Sequence, residues 1–227
     1  MDQAEDELKL LRHRMVADQI AARGITDARL LEVLREVPRH VFVPPDQKRS
    51  AYIDAPLPIG DRQTISQPYI VALMTSLLEL KGDETVLEIG TGSGYQAAIL
   101  SRLARQVYSI ERFERLANEA RQRLTDLGYE NVKVVVGDGT AGLPEFAPYD
   151  GILVTAAAPR VPAPLEHQLA DGGTLVLPVG GRLGQVLEVW RCEGDRMLSE
   201  RVTPVAFVPL IGKHAWPDDD GSAFNWS

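Results

Sequence analysis

The sequence has little cysteine, no excess of basic residues and no long hydrophobic run. One of its 227 residues is a cysteine, Cys192, so neither an intrachain disulfide nor a thiolate metal cluster can form. Lysine and arginine total 24 against 32 acidic residues, and the formal charge of −8 argues against nucleic acid or an anionic membrane as the main partner. The absence of a run of about 18 apolar residues excludes a membrane-spanning helix.

Signals for export and for metal binding are also lacking. Residues 1–6 carry three acids, whereas a secretory peptide begins with positive charge and continues with an apolar run. The four histidines are far apart and show no ligand spacing: His13, His40, His167 and His214. We therefore expect a soluble, cytoplasmic protein without a metal site.

Short β-branched runs alternate with helical patterns from residue 85 onward. The predicted strands are Thr85–Ile89, Gln106–Ile110, Val132–Val136, Tyr149–Val154 and Gly173–Val179. Helical patterns over Tyr95–Leu103 and Arg115–Leu127 separate the first three strands. This alternation predicts parallel βαβ units, and hence an α/β fold with a doubly wound, mostly parallel sheet. A turn signal at Glu193–Asp195, between two strand-like runs, predicts that the last strands are antiparallel.

The region before this sheet is predicted to be helical, with one long loop. Apolar residues recur at helical spacing over Glu7–Ala22, and Gly24 ends the run. A second helix is predicted to begin after Thr26 or Asp27 and to end before a loop over Pro38–Pro58. We expect one domain over residues 1–227, with helices and loop in 1–60, a cofactor-binding core in 61–210 and a tail in 211–227.

A glycine-rich turn within Val86–Tyr95 carries a chemical signal. A predicted strand leads into Gly90, Gly92 and Gly94, and a predicted helix begins where the glycines end. Glycine permits a positive φ and lets the backbone approach a ligand that a Cβ would hold away. The amides of such a turn, together with the helix N-terminus, attract an anionic group. The segment therefore predicts a nucleotide-like cofactor.

Two classes of cofactor fit this turn. The stretch Gly92–Ala97 satisfies the dinucleotide pattern G-x-G-x-x-A, which would make the protein an NAD-dependent oxidoreductase. From Gly90 onward the pattern is G-x-G-x-G after an acid, Glu88, and it resembles the first motif of class I S-adenosylmethionine methyltransferases. Glu111 ends the next strand, at the position where a carboxylate of the protein would bind the ribose hydroxyls of either cofactor. An acid after the third strand, in Asp138–Gly139, favours the methyltransferases, which commonly place one there against the adenine amino group.

Four separated blocks, in a fixed order, carry a more specific signal. They are Val37–Pro44, Leu57–Ala72, Tyr149–Pro159 and Leu175–Gly180. Together they resemble the protein-L-isoaspartate O-methyltransferases, and the likeness runs over about residues 11–210. One local departure is Gln67 with Tyr69, where many members of the family have Ala and His.

The resemblance implies a protein-repair enzyme with a Rossmann-like methyltransferase fold. Such an enzyme transfers a methyl group from S-adenosylmethionine to the free α-carboxylate of an L-isoaspartyl residue in a damaged polypeptide, and the ester then collapses to a succinimide. The resemblance marks Ser66 as the catalytic residue. The motifs and the resemblance together assign cofactor contacts to Thr64, Gln67, Glu88, Gly90, Gly92, Ser93, Gly94, Glu111, Asp138, Gly139 and Gln185.

Elementary chemistry explains why no general base stands out in these motifs. A carboxyl group with a pKa of about 4 is already ionised at neutral pH, so the protein has only to align it with the methyl group. The hydroxyl of Ser66 can donate a hydrogen bond that orients this carboxylate. Ser66 also stands two residues before Pro68 and an apolar helix, which is typical of an N-cap. A cofactor-binding module without catalytic activity is a third hypothesis.

Overall fold

A computed structural model describes residues 3–181 and 184–218 of the chain. The N-terminal helical run is confirmed: helix α1, Gln3–Arg14, continues through a π-helical turn, Met15–Ile20, and a 3₁₀ turn, Ala21–Arg23. Gly24 ends the run with a φ of 95°. Helix α2, Ala28–Glu36, is capped by Asp27. The carboxylate of Asp27 accepts hydrogen bonds from the amides of Arg29 and Leu30, at 2.8 and 3.2 Å.

The predicted loop after α2 contains two 3₁₀ turns, Arg39–Phe42 and Pro45–Ser50, and ends in a strand. This strand, β1, covers Leu57–Gly60 and pairs antiparallel with β2, Gln63–Ile65. The prediction of loop up to Pro58 is therefore wrong at its last two residues. A two-stranded ribbon this short is marginal by itself, so contacts with the rest of the protein stabilise it.

The turn between β1 and β2 has an unusual backbone. Asp61 and Arg62 have φ values of 47° and 56°, in the left-handed region that residues with a side chain rarely adopt. The carboxylate of Asp61 forms an ion pair with Arg115 at 2.8 Å, and this contact fixes the turn against the body of the protein. The strain is thus offset by tertiary structure.

A seven-stranded sheet forms the centre of the molecule. Its strands are β3 (Thr85–Ile89), β4 (Gln106–Glu111), β5 (Val132–Val136), β6 (Tyr149–Val154), β7 (Leu169–Gly181), β8 (Gly184–Glu193) and β9 (Arg196–Val205). Their order is β5-β4-β3-β6-β7-β8-β9. The first five strands in this order pair in parallel, and β8 and β9 add antiparallel neighbours. The predicted α/β fold is confirmed, including its antiparallel C-terminal edge.

Helices cover the sheet and bury its central strand. The remaining helices are α3 (Pro68–Ser76), α4 (Tyr95–Ser101), α5 (Glu114–Asp126) and α6 (Ala163–Glu166). Alternate residues of β3 serve two separate cores: Val86 packs with the N-terminal helices, while Leu87 and Ile89 pack on the opposite face. Both faces of this central parallel strand are buried, and the carboxyl of Glu88 is buried with them.

The strand order reverses at β3, and this reversal positions the functional site. The chain passes from β3 to β4 on one side and later returns to β6 on the other side. In doubly wound sheets a crevice opens at the carboxyl ends of the strands where the order reverses, because the two connections leave in opposite directions. The glycine-rich turn follows β3 at this crevice.

The left-handed conformation of Arg62 allows a direct test of backbone strain. We expect Arg62→Gly to be more stable to unfolding than Arg62→Ala by about 1 kcal/mol, because both variants lose the side chain but only glycine adopts this φ without strain. Urea denaturation of the two variants measures the difference. Equal midpoints would show that the turn is unstrained.

Candidate active site

A cleft of about 880 Å³ lies at the carboxyl ends of β3 and β4. Seven of the predicted site residues line it: Thr64, Ser66, Gly90, Gly92, Ser93, Glu111 and Gly139. Five others do not: Gln67, Glu88, Gly94, Asp138 and Gln185. The structure therefore brings together residues from β2, from the turn after β3, and from the ends of β4 and β5.

The glycine turn is held rigidly at the floor of the cleft. The amide of Gly90 donates to the carbonyl of Ile110 at 2.8 Å, and the hydroxyl of Thr155 donates to the carbonyl of Gly90 at 2.7 Å. Gly90 has a φ of 95°, and a Cβ at this position would collide with the Thr155 hydroxyl. Only glycine therefore fits there, and the backbone forms an open cradle in the cleft wall.

Glu111 connects this turn to the end of β4. Its carboxylate accepts a hydrogen bond from the amide of Gly92 at 2.8 Å and another from the amide of Phe113 at 3.0 Å. The side chain is buried, yet it contributes to the cleft wall. A carboxylate is thus fixed at the position where the sequence predicts a contact with ribose hydroxyls.

Glu88 lies beneath the turn and is fully buried. The hydroxyl of Ser109 donates to one of its carboxyl oxygens, and that hydroxyl also pairs with the hydroxyl of Thr91 at 2.5 Å. Burial raises the pKa of Glu88 to about 8; the Ser109 hydrogen bond opposes the shift, and the negative charge of Glu111 adds to it. Glu88 is thus a mostly protonated acid outside the cleft wall, which differs from the cofactor contact that the sequence predicts for it.

Ser66 follows β2 directly and precedes α3. Thr64, Ile65 and Ser66 all line the cleft, and Ile65 is also buried in the core. The interpretation of Ser66 as an N-cap is wrong: Gln67 occupies that position, and no side chain caps the helix. The hydroxyl of Ser66 makes no hydrogen bond with the described residues, so it is available to a ligand.

Asp138 holds a segment that the sequence divides between the end of the core and the start of the tail. This segment, Val208–Asp218, is called the strap here. One carboxylate oxygen of Asp138 accepts from the amide and hydroxyl of Thr140, at 2.9 and 2.6 Å, and the other accepts from the amide of Lys213 at 2.8 Å. Partial burial acts to raise the pKa of Asp138, but the hydrogen bonds from Thr140 and Lys213 lower it. Asp138, which the sequence predicts to contact the adenine amino group, thus anchors the strap.

The strap closes one side of the cleft. The indole nitrogen of Trp216 donates to the carbonyl of Ala157 at 3.1 Å, and Asp218 forms an ion pair with Arg112 at 2.7 Å. Leu210 and Trp216 both line the cleft. The only sequence signal for the strap is the apolar run that continues after the last strand, and it indicates packing rather than a site. Residues 219–227 of the predicted tail lie outside the described residues.

Gln185 stabilises the entry to the strap. Its side-chain amide donates to the carbonyl of Phe207 at 3.0 Å and accepts from the amide of the same residue at 2.7 Å. The side chain is buried and does not line the cleft, so the structure does not bring it to the predicted site. Among the described residues, no group of His, Cys, Asp and Glu is arranged to hold a metal ion.

The buried carboxyl of Glu88 predicts a pH-dependent stability. Between its ordinary pKa of 4.5 and the folded pKa of about 8, the folded protein holds one proton more than the unfolded chain. The free energy of unfolding therefore falls as the pH rises through this window. Over this pH window we expect the free energy of unfolding of the Glu88→Gln variant to fall less than that of the wild type, by on the order of a few kcal/mol. The reason is that the amide cannot ionise.

Urea denaturation at pH 5.5 and 8.5 measures this effect. Glu130→Gln is the matched control, since Glu130 is exposed and its replacement leaves the buried carboxyl in place. An equal pH dependence in the Glu88→Gln variant and the wild type would contradict the assignment.

Comparison with known proteins gives a consistent result. The matching family model is that of protein-L-isoaspartate(D-aspartate) O-methyltransferase, and it matches residues 11–215. A protein-L-isoaspartate O-methyltransferase of Methanoregula boonei is 60% identical over 205 residues, which make up 90% of this chain and 94% of that protein. The protein of the same name from Desulfotalea psychrophila is 54% identical over 211 residues, covering 93% of this chain and 99% of that one.

Two solved structures are similar over most of the chain. One, a protein-L-isoaspartate O-methyltransferase, has a TM-score of 0.82 at 30% identity and covers 90% of this chain and 67% of its own. The other, a Plasmodium falciparum protein in complex with S-adenosyl-L-homocysteine, has a TM-score of 0.77 at 24% identity and covers 88% of this chain and 98% of its own. The second likeness concerns the fold alone.

Proposed function

Because this chain belongs to the protein-L-isoaspartate(D-aspartate) O-methyltransferase family, we propose that its cleft transfers a methyl group from S-adenosylmethionine to L-isoaspartyl residues of damaged polypeptides. The acceptor is the free α-carboxylate, and the chain is a protein-repair methyltransferase. Family membership also decides between the two cofactor classes that the glycine turn leaves open. The structural observation that carries the proposal is the free hydroxyl of Ser66 in the same cleft as the turn.

The cradle in the cleft fits the cofactor. We propose that the backbone at Gly90 and Gly92 contacts its methionine part, that Glu111 binds the ribose hydroxyls, and that Gly139 leaves room for the adenine. In support, all three glycines line the cleft, and the carboxylate of Glu111 is already oriented by two amides. When bound, S-adenosylmethionine supplies a methyl group on a positively charged sulfur, which is a good leaving group.

Ser66 orients the acceptor in this proposal. Its hydroxyl donates a hydrogen bond to one carboxylate oxygen, and the other oxygen forms the bond to the methyl carbon. The carbon–sulfur bond breaks at the same time, and its electron pair stays on the sulfur. No proton moves, which is why the site needs no general base.

The apolar walls of the cleft favour this reaction. Negative charge on the carboxylate and positive charge on the sulfur disappear together as the ester forms. A site that excludes water stabilises such a transition state better than it stabilises the separated charges. Val71, Met74 and Leu210 provide apolar lining in the cleft.

The proposed partners are polypeptides that contain isoaspartyl residues, and the proposed compartment is the cytoplasm. The single cysteine, Cys192, is consistent with a reducing compartment. Across residues 3–181 and 184–218, the helices are too short or too polar to cross a bilayer.

Methyl transfer to a defined peptide pair tests the function. We expect the protein to label an isoaspartyl peptide from S-adenosylmethionine carrying a radioactive methyl group, and to leave the aspartyl twin of the same sequence unlabelled. Only the isoaspartyl form offers a free α-carboxylate, because its main chain continues through the β-carboxyl group. Equal labelling of the two peptides would contradict the proposed specificity for isoaspartyl residues.

Replacement of Ser66 tests the catalytic assignment. We expect Ser66→Ala to lower kcat/KM for the isoaspartyl peptide by roughly 10- to 100-fold, since an orienting hydrogen bond is lost. The Kd of S-adenosylhomocysteine, measured by calorimetry, should stay within about twofold of the wild type. Ser76→Ala, a serine at the far end of α3, is the matched control and should keep full turnover.

A further inference from the structure

Arg39 is a buried arginine directly behind Ser66. Its side chain has no exposed surface, although it belongs to a short 3₁₀ turn after α2. Nε donates to the carbonyl of Ala51 at 2.7 Å, and one terminal nitrogen, Nη2, donates to the carbonyl of Ser66 at 2.8 Å. The planar guanidinium thus joins the loop before β1 to the main chain of the residue that faces the acceptor.

The charge of Arg39 has no counter-ion in the described part of the protein. No carboxylate there lies within ion-pair distance of it. Its other terminal nitrogen, Nη1, is buried without a hydrogen bond. Asp54, the acid that acts on it electrostatically, already pairs with Arg23 at 2.7 Å and accepts from the amide of Tyr69 at 3.1 Å.

Tyr95 connects this charge with the cleft. The carbon of the guanidinium, Cζ, lies 4.9 Å from the centre of the Tyr95 ring, in a cation–π contact. The ring lines the cleft immediately after the glycine turn, and its buried hydroxyl interacts electrostatically with the guanidinium. Burial lowers the pKa of Arg39 to about 10, so the group is still charged at neutral pH.

A buried charge without a counter-ion is unfavourable, and proteins rarely keep one. Here two carbonyls and an aromatic ring compensate it in part, and one negative charge would complete the compensation. The acceptor is an anion that has to bind on the cleft side of Ser66. A protein with a formal charge of −8 offers no general attraction for it, so a fixed local cation has an evident use.

We propose that Arg39 is a positioning residue of the acceptor site: it holds the main chain of Ser66 from behind and supplies the fixed positive charge that favours the acceptor carboxylate. This inference rests on the proposed function. A guanidinium suits both tasks, because its planar fork reaches two carbonyls at once, whereas a lysine ammonium carries the charge without the fork.

Kinetics of two variants test the proposal. We expect Arg39→Gln to lower kcat/KM for the isoaspartyl peptide on the order of 100-fold, and Arg39→Lys, which keeps the charge, about tenfold. In both variants the Kd of S-adenosylhomocysteine should stay within about twofold of the wild type, because Arg39 does not line the cleft. Arg29→Gln is the matched control: Arg29 also donates to backbone carbonyls, at Leu80 and Lys81, and we expect it to keep wild-type kinetics.

A double-mutant cycle shows whether Arg39 acts through Ser66. In the Ser66→Ala background, Arg39→Lys should have less than half of its effect on log kcat/KM, because the hydroxyl that it positions is gone. This measurement needs only the conservative variant, so it stands even if Arg39→Gln does not fold.

Three results would overturn the proposal: unchanged kinetics in Arg39→Lys and Arg39→Gln, an equal effect of Arg39→Lys in both backgrounds, or a loss of cofactor affinity that parallels the loss of rate. The last two would make Arg39 a general structural support. If the wild type itself failed to methylate the isoaspartyl peptide, the proposed function would fail, which is distinct from an active wild type with unaffected variants.

Discussion

The hydrogen bonds between the carboxylate of Glu111 and the amides of Gly92 and Phe113 are the interaction on which the site depends. They join the end of β4 to the turn after β3, and so they fix the shape of the crevice where the strand order reverses. This glycine turn determines where α4 begins and where Tyr95 lies. Because the protein itself orients this carboxylate, the cofactor site is formed before a ligand arrives, and little conformational entropy has to be lost on binding.

The side of the cleft that we propose for the acceptor is built differently, from short segments that depend on one another. β2 has three residues, and Ser66 follows it without any hydrogen bond of its own side chain to the described residues. Its main chain is instead held by Arg39, while the turn before it is held by the ion pair of Asp61 with Arg115. A strong local support is needed here, because a three-residue strand cannot fix a side chain to the accuracy that methyl transfer requires.

The sequence predicted the sheet well because its strands carry local signals. The predicted bounds of Thr85–Ile89 and Val132–Val136 agree with the structure to the residue, since both runs are rich in β-branched residues and are followed by glycine. The residues of the glycine turn and Glu111 were found for a similar reason, because motif spacing and fold coincide there. The strand β1 was missed, since its pairing depends on tertiary contacts rather than on its own composition.

Two of the predicted residues that the structure does not bring to the cleft share one physical cause. Asp138 is bound by the strap, and Gln185 is bound by Phe207. Both partners come later in the chain, and no local sequence pattern predicts them. Glu88 follows the motif, but the depth of its burial depends on the packing of the whole sheet. The sequence places Arg39 in a family block, and only the fold shows that its charge lies behind Ser66.

The strap also determines when, during synthesis of the chain, the cleft can be completed. Ser66, the glycine turn and Glu111 leave the ribosome early, but Leu210 and Trp216, which form the remaining wall, are among the last described residues to be made. A nascent or truncated chain that stops before residue 208 contains the motifs and lacks that wall. Completion of the cleft is therefore a late event of biosynthesis, and an unfinished copy of this repair enzyme has no closed site in which to bind its substrates.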